Sequence, residues 1–230
     1  MKQWSMTSES IVPVKPILSA ARTGQELRIS TAQCLELGKA GGLGVKYEVA
    51  TSLGNERVAK GDALGAAPTV YFDAETVADR AKRNRWSKAQ LLERAEANGY
   101  EFVIVLRQKG FIAETGDPTR DWYGMDYYRY TSGILDHVSQ QEEASRKWWK
   151  LNTRRRLDFA NMRNRGGKAL LVCSVAGLIL MVRNVDGLDD ADPGDAYIAF
   201  SLAQVDSCFE DLELSWLASG PGPALIIWNV

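Results

Sequence analysis

The chain carries no lysine or arginine after Arg183, yet the segment just before that point is among its most basic. Residues 144–168 hold Arg146, Lys147, Lys150, Arg154, Arg155, Arg156, Arg163, Arg165 and Lys168 against one acid, Asp158, so nine positive charges less one leave +8. Residues 184–230 hold Asp186, Asp189, Asp190, Asp192, Asp195, Asp206, Glu210, Asp211 and Glu213 with no cation, which is −9. A formal net charge of −1 over 230 residues therefore conceals two parts of opposite sign. Such a chain either pairs the two parts internally, solvates them, or offers the basic part to a polyanionic partner.

The balance of 45% hydrophobic and 25% charged residues is that of a globular chain. It is long enough to bury a real core as one large domain or two small ones. Three distant cysteines (Cys34, Cys173 and Cys208) make no C-x-x-C pair and imply neither a zinc ribbon nor a disulfide framework, so a reducing, cytoplasmic setting is expected. A single histidine, His137, argues against multi-histidine metal sites and weakens any histidine-based triad. No metal or cofactor is expected. Pro13, Lys15 and Pro16 interrupt the N-terminal apolar stretch, which makes it a poor signal peptide. The longest apolar run, Ala169 to Val182, has 14 residues and reads as buried strands rather than a membrane span.

Along the chain, residues 1–20 read as an extended lead-in, Gln25 to Gly38 as a short helix, Val45 to Thr51 and Thr69 to Phe72 as strands, and Gly54 to Pro68 as loop. Ser87 to Asn98 has clear helix ends: Ser87 can cap the first turn and Asn98-Gly99 supplies the stop, leaving Leu91, Leu92 and Ala95 as the buried stripe. Tyr100 to Leu106 follows as a strand. The stretch from Thr115 to Tyr130 is rich in Asp, Gly and aromatic residues and reads as a structured loop where two parts meet. One long helix is expected from about Ser132 to Asn164, with a possible break at Asn152-Thr153 and a stop at Gly166-Gly167. Strands are expected at residues 169–175, 178–185, 196–205 and 224–230, with the acidic stretch 186–195 as a solvated loop. The sum is an α+β protein: a smaller N-terminal α/β part (residues 1–115), then a long basic helix packed on a mainly antiparallel C-terminal sheet (residues 116–230), or one continuous domain.

On a helical wheel, Ala144, Trp148, Leu151, Phe159 and Met162 form one apolar stripe, while Arg146, Lys147, Lys150 and Arg154 fall opposite. Trp149, Arg156 and Arg163 recur every seven residues along one flank. Arg155 lies on the apolar stripe, which implies a kink near Asn152 or an internal partner. Cations spaced by a helical turn can follow a phosphate backbone, and an indole face can stack on an unpaired base. A second cluster, Arg80, Lys82, Arg83, Arg85 and Lys88 around Trp86, repeats the combination. The aromatic residues Trp122, Tyr123, Tyr127, Tyr128 and Tyr130 read as a mini-core or, alternatively, a recognition surface.

The strand ending in Asp73-x-Glu75-Thr76 resembles the first motif of the DnaQ-like 3′–5′ exonucleases over these few residues. That resemblance implies a pair of carboxylates holding divalent cations, with further aspartates supplied from elsewhere, such as Asp117, Asp121, Asp126 or Asp136. The simpler reading is a helix start, with Asp73 or Thr76 as its cap. The expected function is a non-enzymatic nucleic-acid-binding protein, a subunit of a bacterial or mobile-element nucleoprotein assembly. Its contacts would be Arg146, Lys147, Trp149, Lys150, Arg154, Arg156 and Arg163, assisted by Arg80, Arg83, Arg85 and Trp86. One alternative is an adaptor or inhibitor that binds a basic protein through its acidic third; another is a metal-dependent nuclease using Asp73 and Glu75.

Overall fold

Two apolar runs, Tyr100–Arg107 and Lys168–Val175, pair in parallel at the centre of the molecule, and both of their faces are buried. A strand covered on both sides gains nothing from polar alternation, which is why YEFVIVL and ALLVCSV read as nearly continuous hydrophobic stretches. The computed structural model describes residues 16–44, 46–49, 69–113, 122–147, 149–189, 197–218 and 223–230. In chain order its elements are β1 (Ile17–Ser19), α1 (Ala20–Leu27), α2 (Thr31–Lys39), β2 (Lys46–Val49), β3 (Thr69–Asp73), α3 (Ala74–Lys82), β4 (Arg85–Ser87), α4 (Lys88–Ala97) and β5 (Tyr100–Arg107). There follow β6 (Ile112–Ala113), β7 (Trp122–Tyr123), α5 (Tyr127–Tyr130), α6 (Leu135–Arg146), β8 (Trp149–Lys150), α7 (Thr153–Asn164) and β9 (Lys168–Val175). The chain closes with β10 (Leu178–Asp189), β11 (Tyr197–Ala203), a 3₁₀ helix (Ser207–Leu212), β12 (Trp216–Ala218) and β13 (Leu225–Asn229).

The fold is α+β. The main sheet runs β13-β5-β9-β10-β11-β8, with β12 joined to β10 and β4. Only β5–β9 and β4–β12 are parallel within it; the rest is antiparallel. Strands from both sides of residue 115 thus share one hydrogen-bonded sheet. On one face Phe102, Ile104, Leu106, Leu171, Cys173 and Phe200 pack with Leu27, Leu37, Phe72 and the α7 residues Phe159 and Met162. On the other, Val103, Val105, Leu170, Val172 and Val182 pack with Leu91 and Ala95 of α4 and with Phe209 and Leu212. A small antiparallel sheet, β1-β3-β2, carries α1 to α3. Among the described residues no helix is long and apolar enough to cross a membrane.

Several expectations are met by their stated chemistry. Ser87 caps α4 in a capping box with Gln90, its hydroxyl accepting from the Gln90 amide at 3.2 Å while the Gln90 side chain takes the Ser87 amide at 2.9 Å. Asp73 caps α3, with Oδ1 accepting from the Thr76 amide at 2.8 Å. The expected helix at 25–38 is instead two helices. Arg28, at φ 58°, closes α1, and Ser30 with Gln33 opens α2 through a second capping box. The acidic stretch after Val185 is not all loop either: β10 continues through a bulge to Asp189, while residues 190–196 lie outside the described set. The lead-in at 1–15 and the loop at 54–68 also lie outside it.

The long basic helix is the main correction. Lys147 turns to extended backbone (φ −111°, ψ 161°), β8 pairs with β11 at Lys150↔Tyr197 and Trp149↔Ile198, and a new helix starts at Thr153. Asn152 makes that restart possible, since its side chain accepts from the Arg155 amide at 2.9 Å. The apolar stripe survives in pieces, with Ala144, Phe159 and Met162 buried; Trp148 lies outside the described residues. Replacing Asn152 by Ala should lower the stability of the whole domain by about 1 kcal/mol, the usual worth of such a cap. Urea unfolding followed by circular dichroism checks this, and an unchanged midpoint would mean that β8 pairing alone sets the break.

Candidate nucleic-acid interface

The break at residues 147–152 decides which cations face solvent. Arg146, at the end of α6, points across to β10 and β11 rather than outward. Its Nε donates to Glu143 Oε1 at 2.6 Å, its Nη1 bonds Asp189, and the same nitrogen reaches the Phe200 carbonyl at 3.3 Å. Burial works against its charge, but Glu143 and Asp189 more than offset this and push its pKa up. Lys147 also bonds Glu143 and is only 11% exposed. Although burial acts to raise the Glu143 carboxyl, these two cations hold it below the usual glutamate range.

The remaining cations of the segment divide into two groups. Arg155 bonds Asn229 Oδ1 at 2.7 Å and Asp158 at 3.5 Å, which explains an arginine on the apolar side of the wheel. Arg165 reaches Glu101 at 2.5 Å, and Lys168 bonds Asp206 while lying 4.4 Å from the Tyr100 ring centroid. Arg156 donates to the Leu151 carbonyl at 3.2 Å. By contrast, Lys150 and Arg154 are exposed and form no ion pair with a described carboxylate; Lys150 sits 5.0 Å from the Tyr197 ring. Arg163, also exposed, bonds the Leu188 carbonyl at 3.4 Å among the described residues and lies over Gly187. Trp149 is half-buried, its indole N–H donating to the Ser145 carbonyl at 2.8 Å.

The second basic cluster is mostly consumed by the fold. Arg80 bonds Asp79 at 2.5 Å and the Gly42 carbonyl at 3.1 Å, and Arg83 shares Asp79 at 3.1 Å. Arg85 donates to the Leu27 carbonyl at 2.9 Å with its guanidinium over Trp216. Trp86 lies beneath the Arg94 guanidinium, 4.9 Å from ring centroid to Cζ, and Arg94 in turn holds Asp211 at 2.7 Å. The two oppositely charged parts of the chain therefore meet inside the molecule, through Arg146–Asp189 and Lys168–Asp206, and α4 adds Arg94–Asp211. Three of the acids of the C-terminal third are engaged in this way; Asp190 and Asp192 lie outside the described residues.

Among the described residues, the carboxylates resembling an exonuclease motif do not gather others. Asp73 caps α3, Glu75 is exposed on its first turn, Asp126 caps α5, and Asp136 is exposed at the start of α6. Asp117 and Asp121 fall outside the described residues, and among those described no three His, Cys, Asp or Glu side chains converge as a metal site would require. His137 bonds Ser132 Oγ at 3.2 Å on the surface of α6. Trp122 and Tyr130 of the aromatic stretch are buried, whereas Tyr123 and Tyr128 are exposed, so the stretch serves as a mini-core with an open rim.

One polar cluster was not legible from spacing. Arg183, the last cation of the chain, is buried in β10 with Nε on Glu142 at 2.7 Å and Nη1 donating to Tyr130 Oη at 2.7 Å. The Tyr130 hydroxyl then donates to Glu213 Oε1 at 2.7 Å, which also accepts the Val182 amide at 3.3 Å. Burial raises the Glu213 carboxyl above the usual glutamate range despite those donors and Arg183. The only sequence signal was an arginine ending an apolar run. Because the folded pKa exceeds the unfolded one, the folded state binds the proton more tightly, and this group's contribution to stability falls as pH rises above about 4.3. Glu213→Gln keeps the acceptor for Tyr130 and removes the charge. Its stability relative to the wild type should therefore be higher at pH 7.5 than at pH 4.5 in paired urea titrations, and a pH-independent difference would contradict this. No family model, curated protein or solved structure matches the chain.

Proposed function

We propose that the protein is a non-enzymatic binder of single-stranded nucleic acid, acting within a larger nucleoprotein assembly. The cations concerned are fewer than in the full basic segment: Lys150 of β8 and Arg154 and Arg163 of α7, the two arginines facing different sides of that helix. The observation that carries the reading is that these three cations are exposed and form no ion pair with a described carboxylate, in a region where Arg146, Lys147, Arg155, Arg165 and Lys168 are all paired. A cation already neutralised by its own fold releases few counterions on binding, whereas one that is left over can exchange its ion atmosphere for phosphate. A short, irregular array of this kind suits a flexible strand better than a duplex groove, and no recognition-helix motif accompanies it.

Three phosphate contacts on a single strand correspond to a slope of roughly −2 in log K against log salt concentration. Retention of a labelled oligonucleotide in low salt should follow that slope. The combined variant Lys150→Glu, Arg154→Glu, Arg163→Glu should lose retention, whereas Arg146→Gln, a change at a paired cation, should cost stability more than binding. Equal retention by wild type and the triple variant, or none by wild type at low salt, would overturn the reading.

A further inference from the structure

The three most exposed large apolar side chains among the described residues are Leu135 (81%), Leu157 (60%) and Ile134 (51%). They belong to two surfaces of opposite shape. Ile134 and Leu135 form an apolar knuckle where the turn after α5 enters α6, with Asp136 exposed beside them. Leu157 lies on the outer face of α7, in a groove of about 400 Å³ that also takes in Ala160 and Leu188 and has Arg163 at its rim. No described carboxylate lines this groove, and Arg163 forms no ion pair with one. We propose that copies of this chain associate head to tail, the knuckle of one seated in the groove of the next with Asp136 against Arg163.

The knuckle projects on a turn of set shape. Gly133, at φ +72°, reverses the chain with no described atom within 4 Å of where its Cβ would stand. The Ser132 hydroxyl accepts the Ile134 amide at 3.2 Å and meets His137 Nδ1 at 3.2 Å, while Thr131 Oγ1 donates to the Tyr127 carbonyl at 2.7 Å. Ile134 occupies the N-cap of α6, where a short polar side chain would satisfy the first amides, and it makes no cap bond. An isoleucine at that position and a leucine after it gain little inside their own fold. The groove is fixed in turn by Gly187, since an added Cβ would lie 2.8 Å from Arg163 Cδ; its absence lets the arginine stem lie across β10. Ile134 and Leu135 bring eight side-chain carbons, which at roughly 30 Å³ per water-sized group need about 240 Å³ and fit within the hollow. Apolar side chains meet apolar side chains and an acid meets a cation, so two different patches of one molecule complement each other. A contact of that kind between identical copies is heterologous and can repeat from copy to copy.

This inference goes beyond the strand-binding reading and does not need it, since association is measured without nucleic acid. Two inserted side chains make a small interface, at the weak end of protein contacts. In sedimentation equilibrium of the full chain, the average mass should therefore climb steadily with concentration and pass that of two copies without levelling there. Leu135→Glu spoils the knuckle and Leu157→Glu spoils the groove, so each variant alone should keep the mass of one copy. Both positions are exposed, and the circular dichroism spectrum should not change in either. Mixed in equal amounts, the two variants should form a pair and stop at two copies, because the first still offers its groove and the second its knuckle. A wild type that remains single up to about 1 mM, where even weak contacts form, overturns the proposal. A variant that still associates by itself also overturns it, as a symmetric knuckle-to-knuckle pair of Leu157→Glu would, and so does a mixture that stays unpaired. Oligonucleotide retention bears on the strand-binding surface alone, so the two readings can fail separately.

Discussion

The parallel ladder between β5 and β9 is the contact on which everything else is arranged. It buries Val103, Val105, Leu170 and Val172 on one face and Phe102, Ile104, Leu106, Leu171 and Cys173 on the other. Parallel neighbours need a long crossover, and here that crossover contains β6, β7, α5, α6, β8 and α7. The basic segment is therefore a bridge over a sheet. Its geometry is set by where β5 ends and β9 begins, and only secondarily by its own helical preference.

That placement explains why the charges sort as they do. The crossover lays Arg146 against the strands that carry the acids, and β9 opens with Lys168 beside Asp206. Ion pairs of this partly exposed kind contribute little each, typically under about 1 kcal/mol. Their effect is on specificity: they select which cations remain uncompensated. The compensated majority fixes how the acidic third lies on the sheet, and the minority on β8 and α7 stays exposed without an ion pair to a described carboxylate.

Features that depend on a few adjacent residues were legible in the sequence. The Ser87 cap, the strand at Tyr100, the Asp73 cap and the end of α7, where Gly166 adopts φ +68°, all follow from local chemistry. The α+β class followed from the order of such elements. The split of the basic helix was half-visible, because Asn152 is a good cap, but the two-residue strand before it forms only because β11 offers an edge 47 residues later, at Tyr197↔Lys150. Partner choice was hidden for the same reason. Arg146 and Asp189 are 43 positions apart, and nothing in a helical wheel says that one cation will turn inward while Lys150 stays out. The Arg183–Tyr130–Glu213 chain likewise joins three elements whose proximity exists only after folding.

The little strand β8 has one more effect. A sheet that ended at β11 would present a row of unsatisfied amides and carbonyls, a template on which another molecule could stack. Two residues of backbone pairing, one of them a lysine lying against Tyr197, blunt that border with a charge. The interruption that costs the chain a continuous helix thus also shortens the open edge of β11, at Tyr197 and Ile198.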